Sequence, residues 1–218
     1  MIPTLTGNNR LWQHTPMIKI YGSPRSSAGR VFWMLEELSL PYEAVKINMR
    51  EKEHKGDAFL KLNPNGKIPC LTEGEFVIWE SLAINNYLAD KYAPQLLGAT
   101  PEIRGTVQQW NLWSMLELQK PMIDILIQKV FVPEEHRDLA LIEKSQKSCQ
   151  PLLKILDDAL SSRKYLGGDV FTVADLNVAS VVGVTTAIQM DITAYKNING
   201  WMDAISQRPA FQKYLKLE

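Results

Sequence analysis

Between Gln95 and Thr100 the hydrophobic pattern of this chain changes period, and that change restricts the fold to two unlike units. Upstream, strand and helix signals alternate. Met17-Ile18-Lys19-Ile20-Tyr21 is a short apolar strand, and residues 27–38 repeat their apolar positions at helical spacing. Residues 42–48 form a second strand behind Pro41, and residues 58–62 a helical turn. Two further strands, 67–72 and 76–79, flank Glu73-Gly74-Glu75, a hairpin signal, and Glu80-Ser81 opens a closing helix over 82–92. Downstream the strand signals stop. Thr100-Pro101-Glu102 supplies an N-cap, a first-turn proline and a first-turn acid, and long helical patterns follow, with kinks or ends expected at Pro121 and Pro151. Thr172 and Asp175 form a short capping box, with Phe171 placed to staple onto Leu176. The helix over 176–184 is apolar almost all round, as expected at the centre of a helical core.

The expected fold class is therefore α/β plus all-α, with a sheet-and-helix domain over residues 17–94 and an all-helical domain over 100–218. Residues 1–16 carry neither period nor the charged start and apolar middle of a secretory leader. They are read as an extension, disordered or left over from cloning.

Charge narrows the partners. Lysine plus arginine number 24, as do aspartate plus glutamate, so no net field draws the chain to nucleic acid or to an anionic membrane. No apolar run approaches the roughly 18 residues of a membrane span. Cys70 and Cys149 stand far apart among apolar neighbours, without CxxC or metal-ligand spacing, and read as buried thiols in a reducing compartment, with no metal.

One junction carries chemistry. In Gly22-Ser23-Pro24-Arg25-Ser26-Ser27-Ala28-Gly29-Arg30 two hydroxyls fall where the first strand passes into the first helix. Unpaired backbone N–H groups and the helix dipole favour negative charge there, and a serine adds a donor. The same residues can equally serve as helix caps.

Five features in this order resemble the cytosolic glutathione transferases: Tyr21-Gly22-Ser23-Pro24-Arg25-Ser26, the basic pair in Glu53-His54-Lys55, the loop Asn63-Pro64-Asn65-Gly66-Lys67-Ile68-Pro69, Glu80-Ser81, and the Thr172 to Asp175 box. The resemblance covers 18–217 and is to the serine-using classes. It implies a thioredoxin-like first domain with a mixed four-stranded sheet, glutathione as co-substrate, a small electrophile as second substrate, a homodimer and a cytoplasmic setting.

It also implies roles for individual residues. Ser26 matches the hydroxyl that keeps the glutathione sulfur deprotonated, with Ser27 and Tyr21 in reserve. A free thiol of this kind has a pKa of about 8.5, and a serine bond of about 1.5 to 3 kcal/mol plus a helix end would make thiolate a major species at neutral pH. Ser81 and Glu80 match the residues that hold the γ-glutamyl carboxylate and amine, and Ile68 before a cis Pro69 matches the backbone edge that pairs with the cysteinyl unit. His54, Lys55 and Lys67 stand where the glycine carboxylate binds, Lys67 departing from the glutamine common in some classes. Arg25, Trp113 and Gln119 fall at the electrophile pocket. Dithiol exchange is not expected, because the Pro24-Arg25-Ser26-Ser27 turn holds no cysteine. A non-catalytic binding or assembly module, or a glutathione-dependent peroxidase or isomerase, are the other activities the fold would allow.

Overall fold

The structure is a computed structural model that describes residues 16–217. The expectation for 1–16 thus lies, but for Pro16, outside the described residues.

Strand β1 (Ile18–Tyr21) pairs in parallel with β2 (Tyr42–Val45) on one side and antiparallel with β3 (Cys70–Glu73) on the other, and β4 (Phe76–Trp79) closes the sheet against β3 in the order β2-β1-β3-β4. A parallel neighbour requires a crossover, and α1 (Gly29–Leu38) supplies it. Its Val31, Phe32, Trp33, Met34 and Leu35 are buried together with Ile18, Ile20 and Leu71 of the sheet. Each such side chain contributes on the order of 1.5 to 3 kcal/mol relative to exposure. The hairpin turn is shorter than expected. Glu73 still pairs with Phe76, which leaves Gly74 and Glu75 to turn the chain, and Gly74 takes φ +60° to do so. A short α2 (Asp57–Leu60) precedes β3, and α3 (Ser81–Tyr92) follows β4.

From Ser81 onward every regular element longer than one bridge is helical among the described residues. Thr100 caps α4 (Pro101–Trp113) by accepting from the Ile103 N–H. Prolines widen or notch the long helices instead of ending them. A π turn at Ser114–Leu118 leads into α5 (Gln119–Leu126), where Pro121 sits, and a second π turn at Ile127–Phe131 ends that path. Pro151 lies on the exposed side of the uninterrupted α6 (Leu139–Leu160).

The central helix is α7 (Val173–Val182), buried at nine of its ten positions, and its capping box forms as the sequence predicts. Asp175 accepts from Thr172 N and Oγ1, each at 2.8 Å, and also from Leu166 N at 2.8 Å and Trp201 Nε1 at 3.0 Å. Burial still pushes its carboxyl above the usual aspartate range, against those four bonds. Phe171 packs on Trp33 and Tyr165, with the Arg208 guanidinium over its face. The helices α8 (Val184–Ala187), α9 (Lys196–Ser206) and α10 (Pro209–Tyr214) complete the chain.

Four asparagine side chains join the two layers. Asn85 of α3 donates to Asn177 of α7 at 2.8 Å, Asn177 to Asn111 of α4 at 2.9 Å, and Asn111 back to Asn86 of α3 at 3.5 Å. Asn85 also donates to the backbone carbonyl of Arg30 at 3.2 Å, which ties α3 to α1.

Candidate functional site

The turn between β1 and α1 is tighter than the helical spacing predicts. Pro24 to Ala28 fold as successive turns, Ser26 N–H donating to Ser23 O at 3.1 Å and Gly29 N–H to Ser26 O at 2.9 Å, so α1 begins at Gly29 and not at residue 27. Ser26 therefore lies just outside the helix. Its hydroxyl donates to Ser23 O at 2.7 Å and accepts from Ala28 N–H at 3.1 Å. Ser27 is exposed, and its hydroxyl donates to the Ile68 carbonyl at 2.9 Å. That bond brings the turn against the loop before β3.

The loop itself is closely braced. Ile68-Pro69 is cis, Asn63 Nδ2 donates to Lys67 O at 2.6 Å, and Lys55 Nζ to Asn65 O at 3.1 Å. Gly66 has φ +56°, and a Cβ there would stand 2.7 Å from His54 O and 2.8 Å from Lys55 Nζ. Only glycine lets the basic pair fold over this loop. His54 Nδ1 is buried without a hydrogen-bond partner among the described residues, whereas Lys67 is exposed.

Past the hairpin, Ser81 is buried as the first residue of α3, and Glu80 before it is exposed with φ +71°. A non-glycine residue in that region is strained by on the order of 1 to 3 kcal/mol, and such strain gathers where a side chain is held for a purpose. Tyr21 ends β1 with its ring edge-on to Phe59 at 6.1 Å.

The predicted pocket residues each have a partner of their own. Trp113 is half-buried against Trp110, with ring centroids 5.0 Å apart and near perpendicular. Arg25 is exposed and reaches the Leu215 carbonyl at 3.5 Å. Gln119 points its amide oxygen at Arg30, whose Nη2 donates to it at 2.7 Å, while Nη1 lies 3.2 Å from Met115 Sδ. Sequence reading missed Arg30. A basic residue on the apolar face of α1, four positions after Ser26, was the available signal. Burial lowers its pKa to about 10, so it stays protonated at neutral pH. From α10, Tyr214 reaches Pro24 O at 3.4 Å, and burial raises its phenol against the pull of Arg25 and Arg30.

The chain can therefore present a serine hydroxyl in the turn after β1, a cis-proline loop bonded to that turn, a buried cation on α1 and a helix N-terminus at Ser81. Known proteins are similar to this chain in sequence and fold. A family model described as "Glutathione S-transferase, N-terminal domain" matches residues 16–90, and one described as "Glutathione S-transferase, C-terminal domain" matches residues 120–209. The chain is 34% identical to the glutathione S-transferase GstB of Escherichia coli, over 92% of this chain and 99% of that one. It is 32% identical to glutathione S-transferase F9 of Arabidopsis thaliana, over 90% and 95%. Among solved structures, the theta class enzyme from Xanthomonas axonopodis pv. citri, with glutathione bound, superposes with TM-score 0.87 at 30% identity, covering 92% of this chain and 98% of that one.

Proposed function

This chain belongs to the glutathione S-transferase family and is a transferase that uses glutathione, and from that premise we propose that it joins the glutathione sulfur to small electrophiles, with Ser26 holding the sulfur as thiolate. The observation that carries the reading is the state of the Ser26 hydroxyl. Ala28 N–H occupies one of its lone pairs and so aims the group, while its single proton rests on Ser23 O, a neutral carbonyl. A thiolate is the stronger acceptor, since bonds to charged partners are roughly twice as strong as neutral ones. Rotation of the hydroxyl from Ser23 O to the sulfur costs little, because Ser26 N–H continues to hold Ser23 O.

The remaining contacts are those that the family resemblance implies. Ser81 at the start of α3 receives the γ-glutamyl carboxylate, and Glu80, held at positive φ, pairs with its amine. The Ile68 backbone receives the cysteinyl unit, and His54, Lys55 and Lys67 the glycine carboxylate. Arg30 adds a buried positive charge that favours the ionised sulfur. Residues 17–94 act as the glutathione-binding domain and 100–218 supply the electrophile side, with Arg25, Trp113 and Gln119 at its edge. The protein works as a homodimer, a reading supported by the exposed Phe76 and Trp79 of β4 and by the exposed Leu112 before the first π turn and Leu116 within it.

Retention on immobilised glutathione, conjugation of a chloronitroarene, and an ultraviolet thiolate band at neutral pH that Ser26→Ala abolishes are the expected results. Passage straight through the resin with no turnover would make the chain a binding module instead. Loss of the band on Tyr21→Phe or Ser27→Ala, with Ser26→Ala unaffected, would move the role to that residue.

A further inference from the structure

Arg30 is the one arginine or lysine that is buried among the described residues, whereas the half-buried Arg208 and the exposed Lys91 are neutralised where they lie. Arg208 is paired to Glu37 and Lys91 to Glu73. Arg30, only 8% exposed, has no carboxylate partner among the described residues. Its two acceptors are an amide oxygen on Gln119 and a thioether on Met115. Burying a guanidinium against neutral groups alone is expensive, and a glutamate at position 119 would relieve the expense at the same length of side chain. The helical layer is also shaped for this contact. Met115 and Gln119 are four residues apart and reach the same guanidinium from the π turn Ser114–Leu118 and the residue after it.

The other ionisable groups around α1 do not supply the missing charge. Tyr214 of α10 faces the guanidinium with a phenol that burial keeps neutral, and Arg25 beside it is a second cation. On α7, Asp175 has its oxygens filled by Leu166, Thr172 and Trp201. α3 offers Asn85, an amide, and only to the Arg30 carbonyl. Along the Gln119 helix, Lys120 and Asp124 pair with each other and Glu117 is exposed.

We propose that Gln119 is a positioning residue for glutathione ionisation: its amide oxygen fixes the Arg30 guanidinium without cancelling its charge, and so keeps that charge in the service of the sulfur at the Ser26 turn. The inference rests on the thiolate reading given above. It assigns Gln119 to the control of sulfur basicity, beyond lining the electrophile pocket.

The test titrates the thiolate band of bound glutathione in the full-length protein, with S-methylglutathione affinity as the control for binding alone. Gln119→Glu is expected to raise the midpoint by about one pH unit, since it neutralises a charge of the kind that shifts nearby groups by about 1 to 3 units, a shift read at saturating glutathione so that any change in S-methylglutathione affinity is separated from it. Gln119→Met, which removes the tether and adds no charge, is expected to move the midpoint less than Gln119→Glu does. Arg30→Met gives a second route to the same answer and should match Gln119→Glu. A Gln119→Glu or Arg30→Met variant that titrates with the parent protein overturns the inference, as does a Gln119→Met variant that shifts as far as Gln119→Glu. Absence of the band in the parent protein defeats the serine reading itself, before any substitution is compared.

Discussion

Glu37 at the end of α1 and Arg208 at the start of α10 form a two-pronged ion pair across 171 residues of sequence, Nε to Oε1 at 2.8 Å and Nη2 to Oε2 at 2.7 Å. Trp33 Nε1 donates to the same Glu37 oxygen at 3.0 Å, and the guanidinium lies 3.7 Å from the centroid of Phe171. Both side chains are largely buried, at 8% and 17% exposure. Removing one partner would strand the other. Arg208→Ala is therefore expected to cost about 2 to 3 kcal/mol, read as a lower urea midpoint at unchanged slope. Glu37→Gln should cost less, because the amide still accepts from Trp33.

Acid should find a weak point at Glu73. Burial works to raise its carboxyl, but hydrogen bonds from Lys91, Tyr87 and Tyr92, with the Lys91 charge, outweigh that and hold it below the ordinary 4.5. The unfolded chain then binds the proton first. Stability from this group is present above about pH 4.5 and is lost as pH falls through the lower folded value. Urea midpoints of the parent and of Glu73→Gln should differ most near neutrality and converge on acidification. A gap that persists at low pH would show that charge is not the cause.

Glu80 sits at φ +71°, a conformation glycine accepts without strain. Glu80→Gly should therefore leave thermal stability unchanged or slightly raised while the KM for glutathione rises about tenfold, the worth of one charged bond to the amine. A falling melting temperature together with an unchanged KM would reverse both parts.

Gly29 is tightly enclosed. A Cβ there would stand 2.5 Å from Pro24 O and 2.7 Å from the Tyr214 hydroxyl. Gly29→Ala is expected to destabilise by about 1 to 3 kcal/mol and to lower turnover by shifting the Ser26 turn. Adding Tyr214→Phe should not restore either quantity, since the Pro24 carbonyl still blocks the methyl group. Denaturation and steady-state kinetics of the single and double variants measure both.

The parts of this protein that sequence made legible are those whose cause is local. Thr100 and Pro101 start α4, Thr172 and Asp175 start α7, and the apolar run of 18–21 makes β1, each because adjacent residues carry both the signal and its partner. The start of α1 slipped by two residues because the Pro24 to Ala28 turns use backbone bonds that helical spacing does not reveal. The pairing of Arg30 with Gln119 was hidden for a different reason. They meet across 89 residues, and a glutamine on one helix gives no hint of a guanidinium on another. The asparagines at 85, 111 and 177 were likewise silent, since an isolated asparagine in a helical pattern reads as a solvent-facing residue until three of them face one another.

That chain of amides has a bearing on the conditions under which the protein can work. Its members neither titrate nor attract counterions, so alkaline media and high ionic strength, which erode surface ion pairs, leave the seam between sheet layer and helices in register. Thiol addition is fastest in alkaline solution, where more of the sulfur is ionised. The asparagine contacts hold there, and the charged tie between the same layers, the largely buried Arg208–Glu37 pair, keeps its charge because the carboxylate raises the guanidinium pKa.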